Sequence, residues 1–160
     1  FVFPFGAHAC VVEVDAQPGT GEVVRCVALD DCGAAINPMR VDGQLHGGIA
    51  QGVGQALFEN CVYDETSGQM LSASFMDYCM PRADNMPNME IVTLSTLCTH
   101  TSFGVKGCGE VGTIGSPATV INAVVDALSH LGVSHVDMPA TPSRIWRIIH
   151  NSANQLRAAE

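Results

Sequence analysis

Val41-Asp42-Gly43-Gln44-Leu45-His46-Gly47-Gly48-Ile49-Ala50-Gln51-Gly52-Val53-Gly54-Gln55-Ala56-Leu57-Phe58 is the stretch on which the fold turns. Val41, Leu45, Ile49, Val53, Ala56 and Leu57 recur at helical spacing and share one face. The remainder is unusual, because Gly43, Gly47, Gly48, Gly52 and Gly54 all fall inside the helix. Each interior glycine costs about 0.5–1 kcal/mol relative to alanine. Such a cost is tolerated where something approaches the backbone closely, either another helix or a ligand.

Outward from this helix, the N-terminal side reads as β structure. Val11-Val12-Glu13-Val14 belongs to a strand over 8–15, and a second β-rich run covers 22–29. Gln17-Pro18-Gly19-Thr20-Gly21 turns the chain between them, so 9–29 forms a hairpin. Asp30-Asp31-Cys32-Gly33 breaks it; both aspartates read as turn and capping residues. Asn37 is held extended by Pro38. On the C-terminal side, 61–64 and 69–74 form a second hairpin around Glu65-Thr66-Ser67-Gly68. Residues 80–87 are irregular and 89–95 form a short strand. Residues 96–115 read as a long, glycine-rich loop, and loops of that length are usually functional. Ser116 and Pro117 read as the N-cap and first residue of a central helix ending near Gly132. Ser143 reads as the cap of a final amphipathic helix with Ile145, Trp146, Ile148 and Ile149. The fold class is α+β: short β-hairpins and strands packed with a glycine-rich helix, a central helix and a C-terminal helix. One domain covers 1–150, with a frayed tail over 151–160.

Composition narrows the function. The chain has 160 residues, 47% hydrophobic and 14% charged. About 25% charge is usual for a soluble domain, so this surface is sparing in charge. The hydrophobic content excludes disorder, and no apolar run is read as approaching the ~20 residues of a membrane span. The formal net charge of −9 argues against nucleic acid, whose phosphates call for Lys and Arg. Low charge and a start at Phe1 are expected of a piece of something larger. The seven cysteines form no C-x-x-C pair and match neither a zinc nor an iron–sulfur pattern. They read as reduced, mostly buried thiols, which places the chain in the cytoplasm.

The densest local signal is Phe103-Gly104-Val105-Lys106-Gly107-Cys108-Gly109-Glu110-Val111-Gly112, which contains the single lysine. Residues 107–112 match G-x-G-x-x-G, but that fingerprint follows a buried strand and opens a helix. Here Cys98–Ser102 is polar and the helix is expected only at Pro117. A phosphate-binding P-loop needs G-x-x-x-x-G-K-[ST], which Gly107 after Lys106 breaks. In a third reading, the backbone N–H groups form an anion-binding nest, Lys106 adds a cation, and Glu110 is a general base whose pKa burial would raise. The plain alternative is a glycine-rich surface turn with a solvated lysine and glutamate.

Gly104-Val105-Lys106-Gly107-Cys108-Gly109-Glu110, with Gly115-Ser116-Pro117-Ala118 and Asn122-Ala123-Val124-Val125-Asp126-Ala127-Leu128, resembles the closing segment of the molybdenum-binding subunit of the xanthine dehydrogenase/aldehyde oxidase family. The nearest branch is similar to the aerobic carbon monoxide dehydrogenase large subunit. The resemblance extends to Gly6-Ala7-His8, Asp31–Pro38, Gly43–Gly52, Leu131-Gly132-Val133 and Asp137-Met138-Pro139, in order. It implies that 1–150 is the C-terminal part of a molybdopterin-binding domain within a larger subunit. The implied cofactor is molybdopterin with molybdenum, as the cytosine dinucleotide, with iron–sulfur clusters and FAD on partner domains or subunits. Glu110 becomes the base for a hydroxylation that uses water-derived oxygen. Gln44, Lys106, Gly107, Cys108 and Gly109 become cofactor contacts, and Asn37 a weaker one. The cofactor's own dithiolene holds the metal, so no protein metal ligand is implied. Carbon monoxide, aldehydes, purines and N-heterocycles are served by related enzymes.

At Cys108 a small side chain filling a tight loop is preferred over a reactive thiol. The histidines show no metal-ligand spacing. Two readings of other classes stand beside the enzyme. One is a non-catalytic scaffold or assembly domain of the same fold, opposed by Glu110, Lys106 and Gln44 occurring together. The other is a cysteine nucleophile using Cys108 with His100 or His130, for which no orienting third group is evident.

Overall fold

In the computed structural model, residues 2–158 are described, with side chains described through residue 152. Strand β1 (Phe5–Asp15) and strand β2 (Thr20–Asp31) form the expected antiparallel hairpin, extended at both ends. Asp15 organises the turn: its Oδ1 accepts from Gln17 N–H at 2.9 Å and its carbonyl from Gly19 N–H at 2.9 Å. Gly19 has φ +76°, where a Cβ would also strike the Pro142 carbonyl. The register shifts between Val11 and Val12. Strand β3 (Met89–Leu94) runs parallel to β2, giving the order β1-β2-β3.

Helix α1 (Pro38–Leu57) has the predicted apolar face, and all six of its residues are buried. Asn37 caps it in an extended conformation, its side chain accepting from Arg40 N–H at 3.2 Å. Helix α2 (Val111–Leu128) crosses α1 closely and also covers β1. Helix α3 (Pro142–Ala158) closes the core through Ile145. That core joins Val23, Cys26 and Ala28 of β2 to Ile49 and Val53 of α1 and to Val120 and Val124 of α2. The mixed sheet with three helices matches the α+β expectation.

Several expectations need correction. Helix α2 starts at Val111, so Ser116 is not its cap and Pro117 lies within the helix. Proline there removes one backbone hydrogen bond, but Ser116 and Pro117 are buried against Gly52 of α1. Packing against α1 therefore outweighs the local preference for a proline start. The segment 61–74 turns as expected, with Asp64 N–H donating to the Gln69 carbonyl and Leu71 N–H to the Val62 carbonyl. It forms only an isolated bridge, Tyr63 to Met70, rather than two strands. By composition alone, Val111–Leu131 is long and apolar enough to cross a membrane, with mean hydropathy 1.3. Glycine, serine and proline interrupt the apolar run in the sequence, and in the fold the helix packs on α1 and β1. Helix α3 runs through Ala158, across part of the segment 151–160 expected as a tail. That segment holds good helix formers and no Gly or Pro. Residues 159 and 160 lie outside the described residues. The expected stop holds for α2: Gly132, at φ +77°, ends the 3₁₀ turn that follows it.

Candidate cofactor site

Three segments converge at the C-terminal end of β2. Cys32–Ala34 leaves the strand, the loop 96–106 returns to it, and α1 starts beside both. Ala34 N–H donates to the Gly104 carbonyl at 3.0 Å, and Lys106 N–H to the Cys32 carbonyl at 3.0 Å. Gly104 also accepts from Cys98 N–H at 3.0 Å, and its φ of +68° suits glycine. These bonds form a small antiparallel bridge, Gly33 to Val105, that docks the glycine-rich loop.

A cavity of about 210 Å³ lies at this junction, lined among others by Cys32, Asn37, Gln44, Val105, Lys106 and Cys108. The fold thus gathers four of the seven candidate residues around one space. Gln44 is exposed on α1, and Asn37 has its carbonyl oxygen occupied by the helix cap, which leaves its amide hydrogens free to donate. Cys108 is half-buried and packs on Cys32, Val41, Leu45 and Val111, as the preferred small-residue reading expects. Burial, then the neighbouring Cys108, pushes the Cys32 thiol up to about 11.

Gly107 and Gly109 are exposed, and a Cβ on either would meet nothing within 4 Å. Among the described residues, no group accepts from the N–H of Gly107, Cys108 or Gly109. Just beyond them, the first turn of α2 has its own unsatisfied donors. An open cradle of backbone donors at a helix N-terminus is a fitting environment for an anionic, phosphate-bearing group. Glu110 occupies the N-cap position of α2 with no side-chain capping bond. Its side chain is exposed in this chain, not buried as the base reading expected. It does not line the cavity; it lies between Cys108, which does, and Val111, which lines a second cavity of about 150 Å³.

Lys106 differs from expectation. Its ammonium is bonded to Asp31 Oδ1 at 3.0 Å, with only 9% of the lysine side chain and none of the aspartate exposed. It also lies 4.8 Å from the Phe5 ring centroid. Its charge is therefore neutralised within the chain and is not a free cation for a bound anion. Asp31 in turn accepts from Gly33 N–H at 2.9 Å and from Thr96 N–H at 2.8 Å. Burial pushes its carboxyl up, but the bonds from Thr96, Gly33 and Lys106 prevail and hold it well below the usual carboxylate range. Its neighbour Asp30 is fully buried and takes both oxygens to His8 Nε2, at 3.1 and 3.2 Å. The two aspartates thus hold two separate buried cations or donors, a role that turn chemistry did not suggest. The signal available in the sequence was the lone lysine of a low-charge chain, which needs a carboxylate if buried.

The G-x-G-x-x-G reading changes in one respect. Residues 107–112 do open a helix, but they follow turns and a single bridge rather than a buried strand, so the fingerprint still fails. Among the described residues no group of three or more His, Cys, Asp or Glu comes together as a metal site.

Comparison with known proteins agrees with the motif reading. The family described as "Molybdopterin cofactor-binding domain" matches residues 1–87. The carbon monoxide dehydrogenase large chain of Hydrogenophaga pseudoflava is 42% identical over 96% of this chain and 19% of its own length. The nicotine 6-hydroxylase large subunit of Paenarthrobacter nicotinovorans is 44% identical over 91% of this chain and 18% of its own. Among solved structures, a Cu,Mo-CO dehydrogenase superposes with TM-score 0.89 at 38% identity, covering 94% of this chain and 19% of that one. Quinoline 2-oxidoreductase from Pseudomonas putida 86 gives TM-score 0.87 at 44% identity, covering 91% and 18%. The chain therefore spans about a fifth of the length of the relatives it matches.

Proposed function

The chain belongs to the molybdopterin cofactor-binding domain family, as a segment of the xanthine dehydrogenase-type molybdenum-binding subunit on its carbon monoxide dehydrogenase-like branch, and from that premise we propose that it supplies the general base and part of the cofactor cradle of a molybdenum hydroxylase. The observation that carries this is the carboxylate of Glu110 at the start of α2, unpaired among the described residues and directly after three loop N–H groups that have no acceptor among them. Held there, molybdopterin would supply a redox-active molybdenum able to accept the two electrons of the oxidation.

The chain's own residues do the rest. The N–H groups of Gly107, Cys108 and Gly109 donate to the anionic parts of the cofactor, and their small or absent side chains let it approach. Gln44 and Asn37 offer amide donors from the opening of α1. Glu110 takes the proton of the water-derived nucleophile as it attacks the substrate carbon. Covering by the remainder of the subunit would exclude water from around Glu110. Exposed Ile36, Met39 and Phe103 around the junction are suited to that cover. Partner domains or subunits with iron–sulfur clusters and FAD carry the electrons away. A cytosine dinucleotide form of the cofactor would bring further phosphate oxygens for backbone donors to meet, and the free thiols suit the cytoplasm.

The test is Glu110→Gln in the complete assembly, assayed on carbon monoxide, aldehydes, purines and N-heterocycles. The variant keeps its molybdenum and pterin and loses turnover by about 10²–10⁴-fold, the usual worth of a general base. Near-normal turnover overturns the base assignment. Absence of both molybdenum and pterin from the native assembly would favour the scaffold reading.

A further inference from the structure

Asp31 is fully buried, and the sequence suggested for it only a turn and capping role. Yet it binds three segments on the N-terminal side of the glycine-rich loop. Its Oδ1 accepts from Gly33 N–H, at the turn after β2, and from the Lys106 ammonium inside the loop. Its Oδ2 accepts from Thr96 N–H, just after β3. The loop thus has two anchors. On one side, residues 104–106 are held by Asp31 and by the backbone bonds at Cys32 and Ala34. On the other, Gly112 and Thr113 seat against Gly48, with Thr113 Oγ1 donating to the Gly48 carbonyl at 3.1 Å. Between the anchors Cys108 and Val111 pack inward, while a Cβ on Gly107 or Gly109 would meet nothing within 4 Å. Glu110 lies in this bridging stretch, so its place depends on both ends staying docked.

We infer that Asp31 is a positioning residue for the site: through its pair with Lys106 it fixes the N-terminal anchor of the loop that carries Glu110. Lys106 serves the cofactor through this strut rather than by offering its charge. The inference rests on Glu110 being the base. A pair this buried has little water to replace a lost partner. Removing either member strands the other without its counter-charge. The glycines next to it supply no packing that would hold the loop in its absence.

The test uses the complete molybdenum-binding subunit in its native assembly, with Asp31→Asn, Lys106→Met and the double variant, beside Glu110→Gln. Each single variant is expected to lower kcat by about ten- to a hundredfold through displacement of the base. KM stays within about threefold, since substrate binding is not what is lost. Molybdenum and pterin content per subunit is retained. Hydrogen exchange quickens in peptides covering 31–36 and 94–107, whose amides the anchor protects. In the double variant the losses do not multiply, because both changes break one interaction. It also removes both buried charges, so it reports even where a single variant fails to assemble.

Turnover within twofold of wild type, multiplicative losses, or unchanged exchange at 31–36 and 94–107 overturns the proposal. Lost cofactor content with normal turnover per molybdenum also overturns it, and returns Lys106 to cofactor binding. The two readings fail separately. If Glu110→Gln turns over normally, the base assignment falls while the exchange data still report the anchor. If Glu110→Gln is inactive and the Asp31 and Lys106 variants behave as wild type, only the positioning role falls.

Discussion

Asp31 and Cys32 are adjacent, and their surroundings push their titrations in opposite physical directions. Hydrogen bonds to Asp31 overcome its burial and depress its pKa below the ordinary 3.8. A depressed carboxyl stabilises the fold above its unfolded value and loses that contribution as pH falls through the lower folded value. Acid unfolding of the wild type is therefore delayed, and Lys106→Met should unfold at a higher pH in a circular-dichroism acid titration. An unmoved acid midpoint would show that the pair does not contribute. Cys32 is instead held protonated, with its thiol raised to about 11 by burial first and by Cys108 next. Treatment with iodoacetamide at about pH 8 should leave Cys32 unmodified while the exposed Cys61 and Cys79 react, as read by peptide mass spectrometry. Glu110 is a candidate the sequence offers because its motif is local. The pairing of Lys106 was not legible there, since its partner lies 75 residues away in sequence.

At the scale of elements, close contacts explain three of the five glycines of α1, two of them against α2. A Cβ on Gly52 would come 1.8 Å from Ser116 Oγ and 2.9 Å from Pro117 Cδ. Gly48 has Gly112 and Thr113 of α2 close against it, and Gly54 has Pro81. Gly43 and Gly47 face open space within this chain. The two groups should part in urea unfolding of the chain. Gly52→Ala forces the helices apart and costs about 1–3 kcal/mol. Gly47→Ala relieves a poor helix former and adds about 0.5–1 kcal/mol. Equal effects at both positions would refute the close-approach account of α1. Periodicity identified the apolar face of α1 correctly, residue by residue, because a helix repeats locally. The start of α2 was misplaced by six residues' worth of loop for the converse reason. Ser116-Pro117 is a good local start signal, and only contact with α1 makes the turn before it worth forming.

As a whole molecule, the chain leaves large apolar side chains in the open. Phe75 is 82% and Met76 92% exposed, and Ile36, Met39 and Phe103 lie open near the site. Exposed apolar surface of this kind marks an interaction face. The isolated 160-residue chain should therefore bind an environment-sensitive hydrophobic dye and show no turnover, and assembly with the rest of the subunit should quench the dye signal. A dye-silent isolated chain would mean that this surface closes on itself. Low charge pointed to covered surface from composition alone, though not to where the cover would fall. By itself, the sequence determined the hairpin, the amphipathic α1 and the identity of the glutamate-bearing loop. Those depend on alternation, helical spacing and motifs, which neighbouring residues carry among themselves. Only the tertiary structure decided where α2 begins, which glycines are obligatory and which carboxylate takes the one lysine. Each of those is settled by a partner distant in sequence, through close packing or through a buried charge that must be paired.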